Sequence, residues 1–292
     1  MKMEEKAIQQ RRTFWQWLKK YKGTIISFII AVALAVIMIY PLLWMISTSL
    51  KEDVYVYNTG VFYSDWKFSN YVDVFTDIPL ARATFNSLII GVPPLIVSLF
   101  VCSVAAFAFA KLNFVGKNIV FMFLLSTMMI PSAVVMIPQY VLFKMLGLLK
   151  QGAMALIIPK LFGGIFTIFF MRQYMYSIPD SLIEAGKIDG ARYIGMIFTI
   201  VIPLSMPVII TQLIMGFIGT WGDYMGPLIF IRDRNWWTVP LEVARYNSGV
   251  NNNADLAKLM AASVISMIPI FIVFAIFQKK IIGSIMVSGM KL

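Results

Sequence analysis

The stretch Glu184-Ala-Gly-Lys-Ile-Asp-Gly-Ala-Arg-Tyr-Ile-Gly-Met-Ile-Phe-Thr-Ile-Val-Ile-Pro203 is polar, punctuated by glycine, and set between two long apolar runs. Ser181 and Glu184 have the spacing of a capping box, in which a hydroxyl and a carboxylate satisfy the orphan backbone donors of a helix start. Gly190 is expected to end that helix, because glycine takes a left-handed backbone at little cost. A second short helix is expected after it, leading into the apolar segment beyond Pro203. Two short helices joined at a glycine and standing off a bundle make a lever.

The bundle belongs in a bilayer. Of the 292 residues 60% are apolar and 13% charged, about half the charged share of a soluble domain. Six apolar segments, near 24–46, 84–110, 119–137, 152–172, 204–221 and 259–278, approach or exceed the roughly 17–25 residues that carry a helix across about 30 Å of hydrocarbon. An even number of spans places both ends on one side. The first run is too long for a signal-peptide core and no small-x-small cleavage site follows it, so it is expected to stay in the mature protein.

Several chemistries are excluded by what the chain lacks. There is no histidine, and the one cysteine, Cys102, lies inside an apolar run. Histidine-dependent triads, imidazole metal sites, an internal disulfide and the common zinc spacings are therefore unavailable. No Gly-x-x-x-x-Gly-Lys-Ser/Thr run is present, so any ATP has to be bound by another subunit. No Asp or Glu falls well inside a span, which argues against an ion-coupled secondary transporter. A membrane-embedded glycosyltransferase or protease needs a catalytic constellation that the outer acids do not form.

The net charge of +11 is a matter of topology. With the N-terminus inside, fifteen of the 25 Lys and Arg residues face inward, nine face outward, and Lys160 lies within a span. Five acids face inward and nine outward, so the excess is cytoplasmic, as the positive-inside rule requires, and suits anionic lipid rather than nucleic acid.

Along the chain, residues 1–23 are basic with aromatics interleaved, the pattern of a segment at the inner interface. Pro41 is expected to bend the first span near its outer end. Residues 47–83 form an outer loop whose Phe62, Tyr63, Trp66, Phe68 and Tyr71 suit an aromatic belt or a partner face. Pro93-Pro94 is expected to bend the entry to the second span. Pro131 and Pro138 interrupt the third and place it against a pore, since freed carbonyls are tolerated where protein or water meets them. The segment 139–149 is expected to be a short helix near the outer surface. Lys160 lies about 12 Å along the fourth span; it is either a polar site in the path or a side chain snorkelling to the headgroups. Gln212 in the fifth span bonds a neighbouring helix or a sugar hydroxyl, helix packing being the commoner use. Trp221, Asp223 and Tyr224 at its outer end have the aromatic faces and carboxylate of a sugar-contacting entrance. Residues 222–258, with Trp236, Trp237 and an Asn251–Asn253 run, form a second outer loop, either a docking surface or a solvated connector.

Glu184, Ala185, Gly190, Ile200 and Pro203 stand where the "EAA" loop of ABC importer permeases has Glu-Ala-Ala, three residues, Gly and an apolar tail ending at Pro, with Gly186 in place of the second alanine. The resemblance extends over nearly the whole chain and is similar to the carbohydrate-uptake branch, the MalG-like subunit type. It is carried by Tyr40-Pro-Leu-Leu-Trp-Met-Ile-Ser-Thr-Ser-Leu-Lys51, Met129-Ile-Pro131 with Ile137-Pro138, Ile178-Pro-Asp180 and Trp221-Gly-Asp-Tyr-Met-Gly-Pro-Leu228. It implies an all-α permease of six transmembrane helices with the type I ABC importer fold, in a bacterial cytoplasmic membrane. The expected organisation is a cytoplasmic segment 1–23, a permease domain 24–278 and a cytoplasmic tail 279–292. The loop 177–203 is implied to couple to an ATPase through Glu184, Ala185, Gly186, Asp189, Gly190 and Pro203. The implied partners are a second permease subunit, two ATP-binding subunits holding ATP and Mg, an extracytoplasmic solute-binding protein and a carbohydrate. No cofactor or metal is expected on this chain, and no nucleic acid. Glycerol phosphate carriers belong to the same branch and are the alternative substrate class.

Overall fold

The computed structural model describes residues 2–57, 60, 65–247 and 255–289. The Asn251–Asn253 run, Phe62, Tyr63 and the last three residues of the tail lie outside them. The described residues form helices and turns, with no strand among them. In chain order the helices are α1 (Lys2–Ser49), α2 (Ser69–Asp77), α3 (Leu80–Lys111), α4 (Lys117–Ser126), α5 (Ser132–Met145), α6 (Met154–Leu161), α7 (Ile165–Tyr176), α8 (Asp180–Ile188), α9 (Tyr193–Met196), α10 (Ile202–Leu204), α11 (Met206–Trp221), α12 (Met225–Phe230), α13 (Val239–Asn247) and α14 (Leu256–Gly289). Four stretches are long and apolar enough to cross a membrane unaided: Tyr21–Ser49, Leu80–Lys111, Met154–Tyr176 and Leu256–Gln278. Two bent pairs, Lys117–Met129 with Ser132–Met145 and Tyr193–Leu204 with Met206–Trp221, bring the number to six.

The proline expectations divide. Pro41 lies inside α1, which runs on through it to Ser49, and Pro93-Pro94 lies well inside α3, which starts at Leu80, so that pair does not stand at the entry to the second span. The third span does break, by 97°, at Ile130-Pro131. Ile130 is extended (φ −80°, ψ 119°) because the ring of the following proline disfavours an α-helical residue before it. Pro138 is absorbed within α5, so the outer helix starts at Ser132 and 139–149 is no separate element. The basic N-terminal segment continues into the first span as one helix, and α14 runs through the expected tail boundary to Gly289.

The fourth span is interrupted between α6 and α7. Gly163 has φ 82°, and a Cβ built on it would lie 2.4 Å from Cys102 Sγ of α3. The lone cysteine is therefore a small packing group set against a break that only glycine can make.

The loops between spans gather at two ends. At one end Lys258 lies 2.9 Å from Asp77, Asp53 accepts from the Ala257 amide at 3.1 Å, and Arg82 donates to Asn235 at 2.8 Å. Asn86 donates to the oxygens of Asn235 (2.8 Å) and Trp237 (2.9 Å), and the Trp236 indole fills the space beside Gly152, whose φ is 61°. The described residues of 222–258, namely 222–247 and 255–258, thus form a folded cap tied to α3 and its neighbours rather than a solvated connector. Within it Glu242 is 1% exposed and lies 2.9 Å from Arg245 and 3.8 Å from Arg234. Burial pushes its carboxyl above the ordinary range, against the pull of Arg234 and Arg82. At the opposite end the 111–117 connection meets the 177–203 loop through Lys111 and Asp180. The segregation of loops to two ends agrees with spans that alternate in direction.

The Gly163 contact yields a test of packing. Gly163→Ala is expected to cost at least about 1–2 kcal/mol from the left-handed backbone alone, read as a lower melting temperature in detergent. Gly164→Ala, whose Cβ meets nothing within 4 Å, is the near-silent control.

Candidate functional site

The elbow starts at Ile178-Pro179. Pro179 precedes the first helical residue and is extended, so α8 begins at Asp180 and Ser181 is already inside the helix. No side-chain cap forms, and Ser181 and Glu184 do not make the expected capping box. The start is held instead by charge: Asp180 accepts a 2.7 Å hydrogen bond from Lys111, which holds its carboxyl below the usual carboxylate range. Among the described residues Glu184 has no hydrogen-bond or ion-pair partner, and it is exposed.

The end of α8 behaves as expected. Gly190 has φ 78°; its amide donates to Lys187 O at 3.0 Å and the Ala191 amide donates to Gly186 O at 2.9 Å. This pair of bonds is the Schellman motif, which satisfies carbonyls that a helix end leaves orphaned. A Cβ on Gly190 would meet nothing within 4 Å, so this glycine is required by conformation. Gly186 sits in a tight contact instead: its Cβ would lie 3.0 Å from Ile200 Cδ1 and 3.1 Å from Met196 Sδ, both the far ends of flexible side chains. Ile183 and Gly186 face inward, while Leu182, Glu184, Ala185, Lys187 and Ile188 face out, Ile188 with 87% exposure.

Beyond Gly190 the chain rises through α9, a π-helical turn (Ile197–Val201) and α10. Pro203 is exposed and lies inside this rise, because the π turn before it removes the need for its missing amide. The turn into the fifth span is at Ser205, where the axis bends by 78°. Pro207, which cannot donate back to Pro203, sits just beyond the bend. Asp189 caps α8 as an exposed residue. An open hollow of about 540 Å³ beside the elbow is lined by Lys187, Gly190–Ile194 and Met196.

The five residues read as a path are only partly together. Lys160 is half-buried in the last turn of α6. Asp223 has a structural role: its Oδ1 accepts from the Gly226 amide at 3.0 Å and caps the start of α12. Tyr224 beside it is 39% exposed. Trp221 departs from expectation: it is 4% exposed, stacks on Phe217 and donates its indole N–H to Ser266 O at 2.8 Å, so it fills the core between α11 and α14. Gln212 is 6% exposed and also faces the interior.

The residues missed in the sequence are those at the ends of α3 and α7 beside the elbow. Arg172 donates to Phe109 O at 3.2 Å and to the Tyr176 hydroxyl at 2.6 Å, with its guanidinium 3.9 Å from the Phe121 ring. Lys111 and Arg172 read in sequence only as inner positive charges; their position at the ends of apolar runs was the available signal.

Three uninterrupted spans, a fourth with a short break at Gly163, two bent ones, a two-helix elbow at one end and an interlocked cap at the other define a multi-pass membrane transport component. A family model described as binding-protein-dependent transport system inner membrane component matches residues 98–285, and the chain belongs to that family. It is 30% identical to the arabinooligosaccharides transport system permease protein AraQ of Halalkalibacterium halodurans, over 94% of this chain and 100% of that one. It is 27% identical to the diacetylchitobiose uptake system permease protein NgcG of Streptomyces coelicolor, over 89% of this chain and 86% of that one. It is 30% identical to the trehalose/maltose transport system permease protein MalG of Thermococcus litoralis, over 89% of this chain and 94% of that one. A chain from the crystal structure of a bacterial ABC transporter involved in the import of the acidic polysaccharide alginate has the same fold, with a TM-score of 0.77, 24% identity, and coverage of 87% of this chain and 95% of that one. The chain is a transport component rather than an enzyme.

The two glycines of α8 separate by experiment. Gly186→Ala, the residue of the family pattern, presses only on the flexible ends of Ile200 and Met196 and is expected to be tolerated within about 1 kcal/mol. Gly190→Val strains the left-handed elbow and is expected to leave the chain inserted and assembled while lowering transport. Pull-down of partner subunits together with uptake checks both.

Proposed function

We propose that the chain is the permease subunit of an ATP-driven ABC importer for a sugar or oligosaccharide, and that the 177–203 elbow couples it to ATP hydrolysis. The observation that carries this reading is the Schellman turn at Gly190, which holds an exposed helical face bearing Glu184, Ala185, Lys187 and Ile188 at the end opposite the cap. The substrate class is supported by relatives matched along most of their length, whose names specify arabinooligosaccharides, diacetylchitobiose, and trehalose or maltose. These names do not favour the glycerol phosphate alternative.

In this reading both termini, the segment 1–23 and the elbow are cytoplasmic, in accord with the charge excess of that side. The cap built from 47–83 and 222–258 faces an extracytoplasmic solute-binding protein. A second permease subunit completes the translocation path, and two ATP-binding subunits hold ATP and Mg. When they close, α8 moves as a seated rigid body, with Asp189, Gly190 and Pro203 setting its angle to the fifth span. That span carries the motion about 24 Å to Asp223 and Tyr224. These two and Lys160 are the proposed solute-facing groups of this chain, while Gln212 and Trp221 support them from the core.

Two outcomes follow. The purified chain alone is expected to show no ATPase activity above background, measured by phosphate release; hydrolysis without partner subunits overturns the division of labour. Asp223→Asn keeps the oxygen that accepts from Gly226 and removes the negative charge at this end of the fifth span, so it is expected to lower uptake several-fold with assembly intact. Asp223→Ala also loses the cap, for an added cost of about 1 kcal/mol. Parent-level uptake by Asp223→Asn removes this residue from the path.

A further inference from the structure

The inner end of α3 and the junction of α7 with α8 are tied in both directions. Lys111, in the last turn of α3, has a side chain 4% exposed; its ammonium donates to Ile178 O and, at 2.7 Å, to Asp180 Oδ1. In return Arg172 of α7 donates to Phe109 O of α3 at 3.2 Å. Phe109 O is among the carbonyls that the end of α3 leaves without an intrahelical partner. Lys111 closes α3 and Asp180 opens α8, so each charge also sits at the helix end whose dipole favours it. A lysine sealed from water depends on its partners more than an exposed one does.

The other flank of the elbow is held differently. Past the Schellman turn, α8 meets the rise toward the fifth span through Gly186 against Met196 and Ile200 and through Lys187 over the Tyr193 ring. The apolar packing of Gly186 has no fixed direction and the Lys187 ammonium 5.6 Å over a ring holds only loosely, whereas the hydrogen bonds of Lys111 are directional.

The geometry points to a second coupling route: Lys111 is a strut that fixes α8 to α3, so displacement of the elbow reaches the membrane core through α3 as well as along the chain into the fifth span. This rests on reading 177–203 as the coupling loop. Lys111 is a positioning residue, since its partners are Ile178 and Asp180 of the elbow, and it acts by fixing their place.

The test uses the full chain reconstituted in liposomes with its partner subunits and binding protein. Uptake and ATP hydrolysis are measured on one preparation, with whichever arabino-, malto- or chito-oligosaccharide the parent takes up fastest. Lys111→Met is expected to lower the number of solutes imported per ATP about fivefold while assembly and basal hydrolysis persist. Lys111→Arg is expected to retain most of that ratio. Asp180→Asn, where the side chain is 78% exposed and packing is not at stake, is expected to lower it less. Lys111→Met combined with Asp180→Asn is expected to be no worse than Lys111→Met alone, because both cut the same link. A parent-like ratio in Lys111→Met, or additive losses in the double variant, overturns the strut. If Lys111→Met does not assemble, Asp180→Asn decides: a lowered ratio supports the strut and a parent-like one overturns it. Gly190→Val separates the two readings. If it too is silent, the loop is not the coupling element; if it uncouples while Lys111→Met does not, only the strut falls.

Discussion

A peptide group in hydrocarbon must find its hydrogen bond inside the protein, at a cost of several kcal/mol if it does not. That constraint explains why so much of this chain is helix and why two of the three interruptions are backed by packed protein, while the break at Ile130-Pro131 lies exposed on this chain. The break between α6 and α7 is lined by Cys102, and the bend at Ser205 is bracketed by Pro203 and Pro207. Ser205 is itself fully buried, its amide shared between Val201 O at 2.9 Å and Ile202 O at 3.1 Å. The bend therefore keeps its backbone satisfied while turning the axis. Interruptions that would be faults in an isolated helix become fixed points of direction.

The two ends of the molecule use polar chemistry for different purposes. At the cap, bonds run from α3 and the 47–83 segment to the 222–258 segment and hold several loops as one body. At the elbow, polar contacts concentrate on one flank and the other is left to apolar surfaces. A face that presents Ile188 and Ile194 at 87% and 71% exposure at the end of a membrane protein is suited to a protein partner, since large apolar side chains gathered in water mark interaction surfaces.

Much of this was legible in the sequence because it rests on local steric rules. Gly190 ends α8 as its position predicts, and Pro131 breaks the third span. The rules failed where a second local feature competed. Pro179 sets the start of α8 one residue ahead of Ser181, so Glu184 is left exposed and free of a capping role. Pro138 and Pro93-Pro94 are accommodated within continuous helices, which composition alone does not distinguish from kinks. Trp221 was read from its chemistry as a sugar contact, but its neighbours Phe217 and Ser266 bury it. Pairings such as Lys111 with Asp180, 69 residues apart, leave no periodic trace in one sequence.

The cap also bears on how the chain is made. Asp53 meets Ala257 across 204 positions, Lys258 meets Asp77 across 181, and Asn86 meets Trp237 across 151. The bonds to Ala257 and Lys258 cannot close until the first turn of α14 has been made, whereas the bond of Asn86 to Trp237 needs only the segment that precedes it. Until that turn exists the contacts of Asp53 with Ala257 and of Asp77 with Lys258 are not made. The cap is therefore completed only when the start of the final span joins it, late in the making of the chain.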